Sequence, residues 1–392
     1  MELGDDQNDA VSSPPSTVTL TSLSISDSST GDIHHAPPPQ PQHPIFPVEI
    51  VEEIIIRFPV KFLSQLRCVC KSWNALISDP KFARRHLRRL NRRILLVHLR
   101  NRSHENHFVS YPLTSVLKPV TTGGTQIDSP LDYLIIGSCD GIICCFKFSH
   151  KSGYSFVVWN PSIRKFWELP PLENLLLEDC DADAHTFPSY GFGYDHLSDS
   201  FKVIVIFYYV CLAETHVMVH TLGSNSWRRI QDSPCIPYWG CCHNGKFVSG
   251  AVNWLTGDGE DGFNRGHGII SLDLGKESYQ EFLQPDYGIE VDYLTMGVMR
   301  DCLCLLANSD VWVMKEYGNN DSWTKLFSLP SDFWHACCPY ILGCNSLCVL
   351  EDDETIFFQY RNLDIYNYKS GTFRSSALEY KPGLIEGMYF GI

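Results

Sequence analysis

The chain is most easily read from what it lacks. Its longest apolar run, Val203 to Ala213, falls well short of the roughly 20 residues a membrane-spanning helix needs, so no membrane segment is expected. It has no excess of positive charge: the formal net charge is −14, and residues 94–392 alone carry −15, which argues against nucleic-acid binding by the main body. Sixteen cysteines are present, yet no two are spaced C-x-x-C. Most fall in apolar runs, where a free thiol behaves as a small buried hydrophobe. With an acidic, Ser/Thr-rich start in place of a signal peptide, the reading is reduced thiols in the cytoplasm or nucleus. Neither G-x-S-x-G nor H-E-x-x-H occurs.

Two near-motifs fail on geometry. Gly257-Asp258-Gly259-Glu260-Asp261-Gly262 matches G-x-G-x-x-G, but its three acids repel phosphate and no helix follows to receive one. His216 and His220 have a helical metal-ligand spacing inside a β-rich run, where residues four apart stand about 13 Å from each other. That is too far to share one zinc ion. No catalytic residue, metal or cofactor is expected.

Two kinds of texture are present. Residues 1–44, rich in Ser, Thr, Asp and Pro, read as a disordered acidic tail. Residues 45–92 read as a run of short helices, with eleven Lys/Arg against four Asp/Glu over 46–93. Pro47 suits a first helical position, and Glu49, Glu52 and Glu53 place negative charge at the helix's positive end. Ile50, Val51, Ile54, Ile55 and Phe58 share one broad apolar stripe, with Glu49, Glu53 and Arg57 opposite. Phe58-Pro59 ends that helix, because a residue before proline resists the α conformation. A second helix passes through Leu63 and Leu66, and a third carries Trp73, Leu76 and Ile77. Asp79-Pro80 opens a fourth, whose arginines share one basic solvated face. Helices this short cannot bury so much apolar surface among themselves. Ile56, alone on the polar side of the first helix, adds to a surplus that predicts docking to another protein, unless the helices pack on the rest of the chain.

This segment resembles an F-box of the plant type. The likeness is carried by Phe46-Pro47-Val48-Glu49-Ile50, Arg57-Phe58-Pro59-Val60-Lys61, Arg67-Cys68-Val69-Cys70-Lys71-Ser72-Trp73 and Leu76-Ile77-Ser78-Asp79-Pro80-Lys81-Phe82. Phe46 stands where the family usually has leucine and keeps an apolar side chain there. The resemblance implies binding to the Skp-type adaptor of a cullin–RING ubiquitin ligase. Pro47, Ile50, Ile54, Pro59, Val60, Leu63, Val69 and Trp73 are the residues expected to make or shape the adaptor surface.

From residue 93 onward, β-branched and aromatic runs alternate with Gly, Asn, Asp, Ser and Pro, as in an all-β domain. A unit recurs: an inner run, a second run, a polar turn, then an aromatic residue. The aromatics are Trp167, Trp227, Tyr279, Trp323 and Phe373, spaced 60, 52, 44 and 50 residues apart. That brackets the kelch period of about 50. Ile94–Leu99 with Phe108–Leu113 forms a sixth, weaker unit. The expected fold is a small all-α F-box followed by an all-β domain, a kelch-like β-propeller of about six irregular blades, though an irregular β-sandwich fits the same runs. Trp159-Asn160-Pro161-Ser162, Tyr190-Gly191-Phe192-Gly193-Tyr194-Asp195 with Phe201-Lys202-Val203, and Gly250-Ala251-Val252-Asn253-Trp254-Leu255 resemble the F-box-associated interaction domain. This implies a substrate-recognition subunit with no bond chemistry of its own, linked through the adaptor to cullin and RING subunits. The alternative is a propeller enzyme, a sugar oxidase or lyase, with a helical appendage. For the target face, Trp239, Asp258, Glu260 and Trp334 are the candidate binding residues, because acidic loops and turn aromatics suit a protein ligand.

Overall fold

A computed structural model describes residues 47–58, 60–79, 81–83, 85–86, 94–100, 106–112, 124–127, 133–149, 153–161, 164–172, 186–210, 212–238, 244–258, 264–330, 347–349, 354–359, 362–375 and 384–390. The N-terminal part is helical: α1 (Val48–Ile55), α2 (Val60–Leu66) and α3 (Lys71–Ser78), followed by helical residues 81–83 and 85–86. Asp79 opens that last segment, its carboxylate accepting the Lys81 N–H at 2.8 Å. Arg85 reaches back to ion-pair with Glu52 and, at 3.0 Å, with Glu53. The buried His86 ring sits 2.7 Å from the Phe58 carbonyl oxygen.

One expectation for α1 is overturned. Ile56 is not a lone apolar residue facing solvent; it is 1% exposed, like Ile55. Its N–H donates to the Glu52 carbonyl at 2.9 Å, so the helical path continues through it. Of the apolar stripe, Ile50, Ile54 and Phe58 are the ones left in water. The buried side is therefore turned by about one 100° step from the apolar stripe read in the sequence.

Beyond residue 93 the described residues form six four-stranded antiparallel sheets. One holds β1 (Ile94–Arg100), β2 (Asn106–Pro112), β3 (Thr125–Ile127) and β24 (Leu384–Phe390). The next holds β4 (Leu134–Cys139), β5 (Ile142–Ser149), β6 (Gly153–Asn160) and β7 (Lys165–Glu168). It is followed by β8 (Thr186–Asp195), β9 (Ser200–Tyr209), β10 (Glu214–Thr221) and β11 (Arg228–Arg229). Then come β12 (Lys246–Val248), β13 (Ala251–Asp258), β14 (Asn264–Asp273) and β15 (Ser278–Leu283). The fifth sheet is β16 (Leu294–Met299), β17 (Cys302–Ala307), β18 (Asp310–Met314) and β19 (Trp323–Ser328). The sixth is β20 (Leu347–Val349), β21 (Glu354–Gln359), β22 (Asn362–Asn367) and β23 (Thr372–Ser375).

First strands of successive sheets lie side by side, β4 with β8, β8 with β12, β12 with β16 and β16 with β20, while β24 neighbours β4. This is the radial stacking of propeller blades. The strand nearest the chain end, β24, pairs antiparallel with β1, so the two ends of the domain close one blade together. Three of the runs read as the inner ones, Gly141–Phe148, Lys202–Tyr209 and Asp301–Ala307, are second strands (β5, β9 and β17), whereas Ser346–Glu351 covers the first strand β20. Lys246–Leu255, read as a single run, is a hairpin of β12 and β13 turning at Ser249-Gly250, both with positive φ.

Three of the five periodic aromatics fasten neighbouring blades. Trp227 Nε1–H donates to the Pro170 carbonyl at 2.8 Å, Tyr279 O–H to Gln231 at 3.1 Å and Trp323 Nε1–H to Leu283 at 3.0 Å. Each of these three thus bonds the chain leaving the preceding fourth strand. The Tyr190–Asp195 motif is explained in the same way. A Cβ on Gly191 would come within 2.8 Å of the Trp254 ring, and one on Gly193 would collide with Phe247. Trp254 then donates its indole N–H to the Tyr190 carbonyl at 3.1 Å.

Asp195 and Lys202 complete the motif as an electrostatic latch. Lys202 is 4% exposed. Its Nζ lies 2.9 Å from Asp195, donates to the Leu274 carbonyl at 2.6 Å and reaches Glu277 at 2.8 Å. Arg228 also pairs with Glu277. Burial alone would raise the Asp195 carboxyl, but bonds from Ser198, Lys202 and the Leu197 N–H hold it below the ordinary carboxylate range. Glu277 is held low against burial by Arg228 and Lys202.

Candidate functional site

The helical segment presents apolar side chains to solvent. Ile50, Ile54, Val60 and Val69, all expected at the adaptor surface, are 47%, 51%, 42% and 62% exposed. Pro47 is exposed and Trp73 half-buried. Leu63 is buried, and Pro59 lies outside the described residues. Sequence reasoning missed Val48 and Phe62, both at least half exposed. Phe62 stacks on Phe58 with ring centroids 5.5 Å apart. Its position four residues after Phe58 was the available signal, hidden by the intervening Pro59. Between Val69 and Trp73, Cys70 precedes α3, and the Ser72 hydroxyl 3.1 Å away, with the Trp73 N–H, holds its thiol below the usual range.

In the β domain, chain direction sorts the connections. Within each antiparallel sheet, turns from first to second and from third to fourth strand fall at one end. Connections from second to third strand, and onward to the next sheet, fall at the other. Among described residues the first set mixes signs: Asp140, Asp199, Glu277, Asp301, Glu316 and Asp321 alternate with Arg164, Lys276, Arg300, Lys315 and Lys369. The second set, among the described residues, holds Asp232, Asp286, Glu290 and Asp292 and no lysine or arginine.

Asp258, one of the expected target-binding residues, ends β13 at this acidic end and is exposed. Trp239, Glu260 and Trp334 lie outside the described residues. Asp258 borders Gly266, where a Cβ would sit 3.1 Å from its carboxylate. Gln284 donates to the Gly266 and Gly268 carbonyls at 2.9 and 3.1 Å, which ties the following connection, 284–293, to that edge. Nothing in the sequence marked this connection; it reads as an ordinary polar loop.

Isolated chemistry does not gather elsewhere. His216 and His220 lie in strand β10, buried, and burial pushes both imidazoles below their usual range. Among the described residues no group of three His, Cys, Asp or Glu side chains is placed to hold a metal ion. No helix among them is long and apolar enough to cross a membrane.

Comparison with known proteins agrees with this geometry. Residues 105–375 match the F-box associated beta propeller domain and residues 44–85 the F-box domain. An F-box/kelch-repeat protein of Arabidopsis thaliana is 28% identical over 346 residues, 83% of this chain and 89% of that protein. The F-box protein CPR1 of the same plant is 30% identical over 72% of each chain. Among solved structures, TolB from Acinetobacter baumannii overlays 76% of this chain and 66% of its own at 9% identity, with a TM-score of 0.44, too loose to argue from.

Proposed function

The chain belongs to the F-box proteins that carry an F-box-associated β-propeller, and from that premise we propose that it is the substrate-recognition subunit of a Skp–cullin–F-box ubiquitin ligase. In this reading α1, α2 and the turn before α3 dock on a Skp-type adaptor, which brings cullin and RING subunits. The β domain holds a target protein for ubiquitination and degradation in the cytoplasm or nucleus. The observation that carries it is the set of exposed apolar side chains on the F-box helices, Ile50, Ile54, Val60, Phe62 and Val69. Surface of this kind is stabilised by a partner helix laid across it.

The mechanism needs no bond chemistry from this chain. Tethering raises the effective concentration of target lysines at the ubiquitin thioester, turning an encounter between two molecules into a reaction within one assembly. The test is co-purification of the full chain with a Skp-type adaptor. Ile54→Asp combined with Phe62→Asp is expected to abolish it while the thermal melt of the β domain is unchanged. Undiminished adaptor capture by that folded variant would defeat the assignment.

A further inference from the structure

The acidic end of the β domain also carries exposed apolar side chains, and the two features converge between the fourth and fifth sheets. Leu283, the last residue of β15, and Ile289 are 63% and 62% exposed. Asp286, Glu290 and Asp292 are exposed beside them in the same connection, with Asp258 across Gln284 and Gly266.

This connection is built to hold its shape. Asp286 accepts the Gly288 N–H at 2.9 Å, and the Tyr287 hydroxyl donates to Gln284 at 3.3 Å. Asn308 accepts from the Asp292 and Tyr293 N–H groups at 2.9 and 3.0 Å, and its amide donates to the Glu290 carbonyl at 3.0 Å. Leu283 is fixed by Asn320 and by the Trp323 indole, so its side chain projects from a pinned backbone. Two aliphatic side chains held in water on an ordered backbone lose little further freedom when covered, which favours docking. The surrounding acids decide what can cover them: an acidic or neutral segment would leave the carboxylates unpaired, whereas lysine or arginine pairs with them. Trp312 backs the connection from beneath. Its indole N–H is buried without an acceptor, and the ring packs edge-on to Tyr287 at 5.9 Å, in the middle of the connection.

We propose that Leu283, Ile289, Asp286, Glu290 and Asp292, with Asp258 at the border, dock a lysine- or arginine-bearing segment of the target polypeptide whose aliphatic side chains cover the two apolar residues. This deepens the recognition role proposed above and rests on it.

The experiment uses the full chain bound to its Skp-type adaptor and a fluorescent peptide alternating lysine with leucine, read by anisotropy. The triple variant Asp286→Asn, Glu290→Gln and Asp292→Asn keeps the shape and the Asp286 turn while removing charge. It is expected to weaken the peptide by at least about tenfold. Ile289→Ser is expected to weaken it several-fold, and a glutamate–leucine peptide should not bind. A control triple, Asp140→Asn, Asp301→Asn and Asp321→Asn, removes equal charge at the opposite end and should leave affinity unchanged. Equal loss in the control would show attraction to net charge alone and overturn the proposal, as would an unaffected Asp286 triple. Spermine displacing the peptide at matched charge would overturn the polypeptide assignment. Adaptor retention is measured in the same samples: if it fails, the ligase reading itself fails, whereas peptide indifference with adaptor retained sinks only this inference.

Discussion

The two halves of the molecule treat apolar surface in opposite ways. Within residues 48–69, seven large apolar side chains are exposed: Val48, Ile50, Ile54, Phe58, Val60, Phe62 and Val69. All of the other described residues together expose ten, while the sheets bury long runs such as Val203–Tyr209 almost completely. Covering each exposed aliphatic or aromatic chain is worth about 1.5–3 kcal/mol. The helices therefore leave to a partner what the sheets obtain from one another. A short helical segment has too little interior to do otherwise, whereas six sheets stacked radially cover both faces of each.

That contrast can be broken most severely at the closing strand. Removing residues 384–392 takes β24 from its pairing with β1 and exposes the edge and face of two blades. The β domain is expected to lose its cooperative unfolding transition by calorimetry and become protease-sensitive. Adaptor co-purification should survive, because the F-box side chains are untouched. Loss of adaptor binding in that truncation would mean the two regions are not independent.

Next in size is the latch. Lys202→Met strands the buried Asp195 carboxylate and is expected to cost about 3–5 kcal/mol of β-domain stability in denaturant unfolding. An unchanged midpoint would remove the latch from the account of the motif.

The same carboxylates give a pH dependence with a definite sign. Asp195 and Glu277 have folded-state values below their ordinary ones despite burial. Their contribution is therefore complete above the unfolded value, near 4, and is lost as pH falls through the lowered folded value. The melting temperature of the β domain should fall on acidification below about pH 5. High salt should restore little of it, since the Asp195–Lys202 pair is buried from screening ions.

The smallest effect sharpens the role of the repeat. Trp227→Phe removes the donor to the Pro170 carbonyl and trims a ring that packs on Phe156 and His220. About 1 kcal/mol of stability should go with that bond and a further part with the lost packing, read as a shift in the denaturation midpoint. Tyr279→Phe is expected to behave alike, through Gln231. A change several times larger would show that these aromatics do more than fasten neighbouring blades.

Much of the fold is legible from local pattern. Helix ends at Phe58 and the start at Asp79 follow from proline and capping chemistry, and the recurrence of Trp167, Trp227, Tyr279, Trp323 and Phe373 marks one fourth strand in each of five sheets. The first strands are not legible in the same way. β16 is buried on both faces over nearly its whole length, so it shows no alternation. β8 is interrupted by Pro188, Gly191 and Gly193, which read as turn residues until the rings of Trp254 and Phe247 are seen against those glycines. At the candidate sites, Ile50, Ile54, Val60 and Val69 could be named from periodicity and motif. Phe62 could not, nor could the burial of Ile56, because a helical stripe fixes which residues share a side without saying which side meets the core.

By itself the sequence determined the succession of helices and blades, the F-box motif string and the acidic balance of the body, since these depend on residue order, turn chemistry and counted charge. Only the tertiary structure decided that β24 closes onto β1, that Lys202 is drawn inside between two sheets, and that Asp232, Asp286, Glu290 and Asp292 fall at one end of the sheets, with no lysine or arginine among the described residues of the connections there. The reason is the same in each case: antiparallel pairing and radial stacking bring together residues far apart in the chain, and no local spacing records which end of a sheet a connection will occupy.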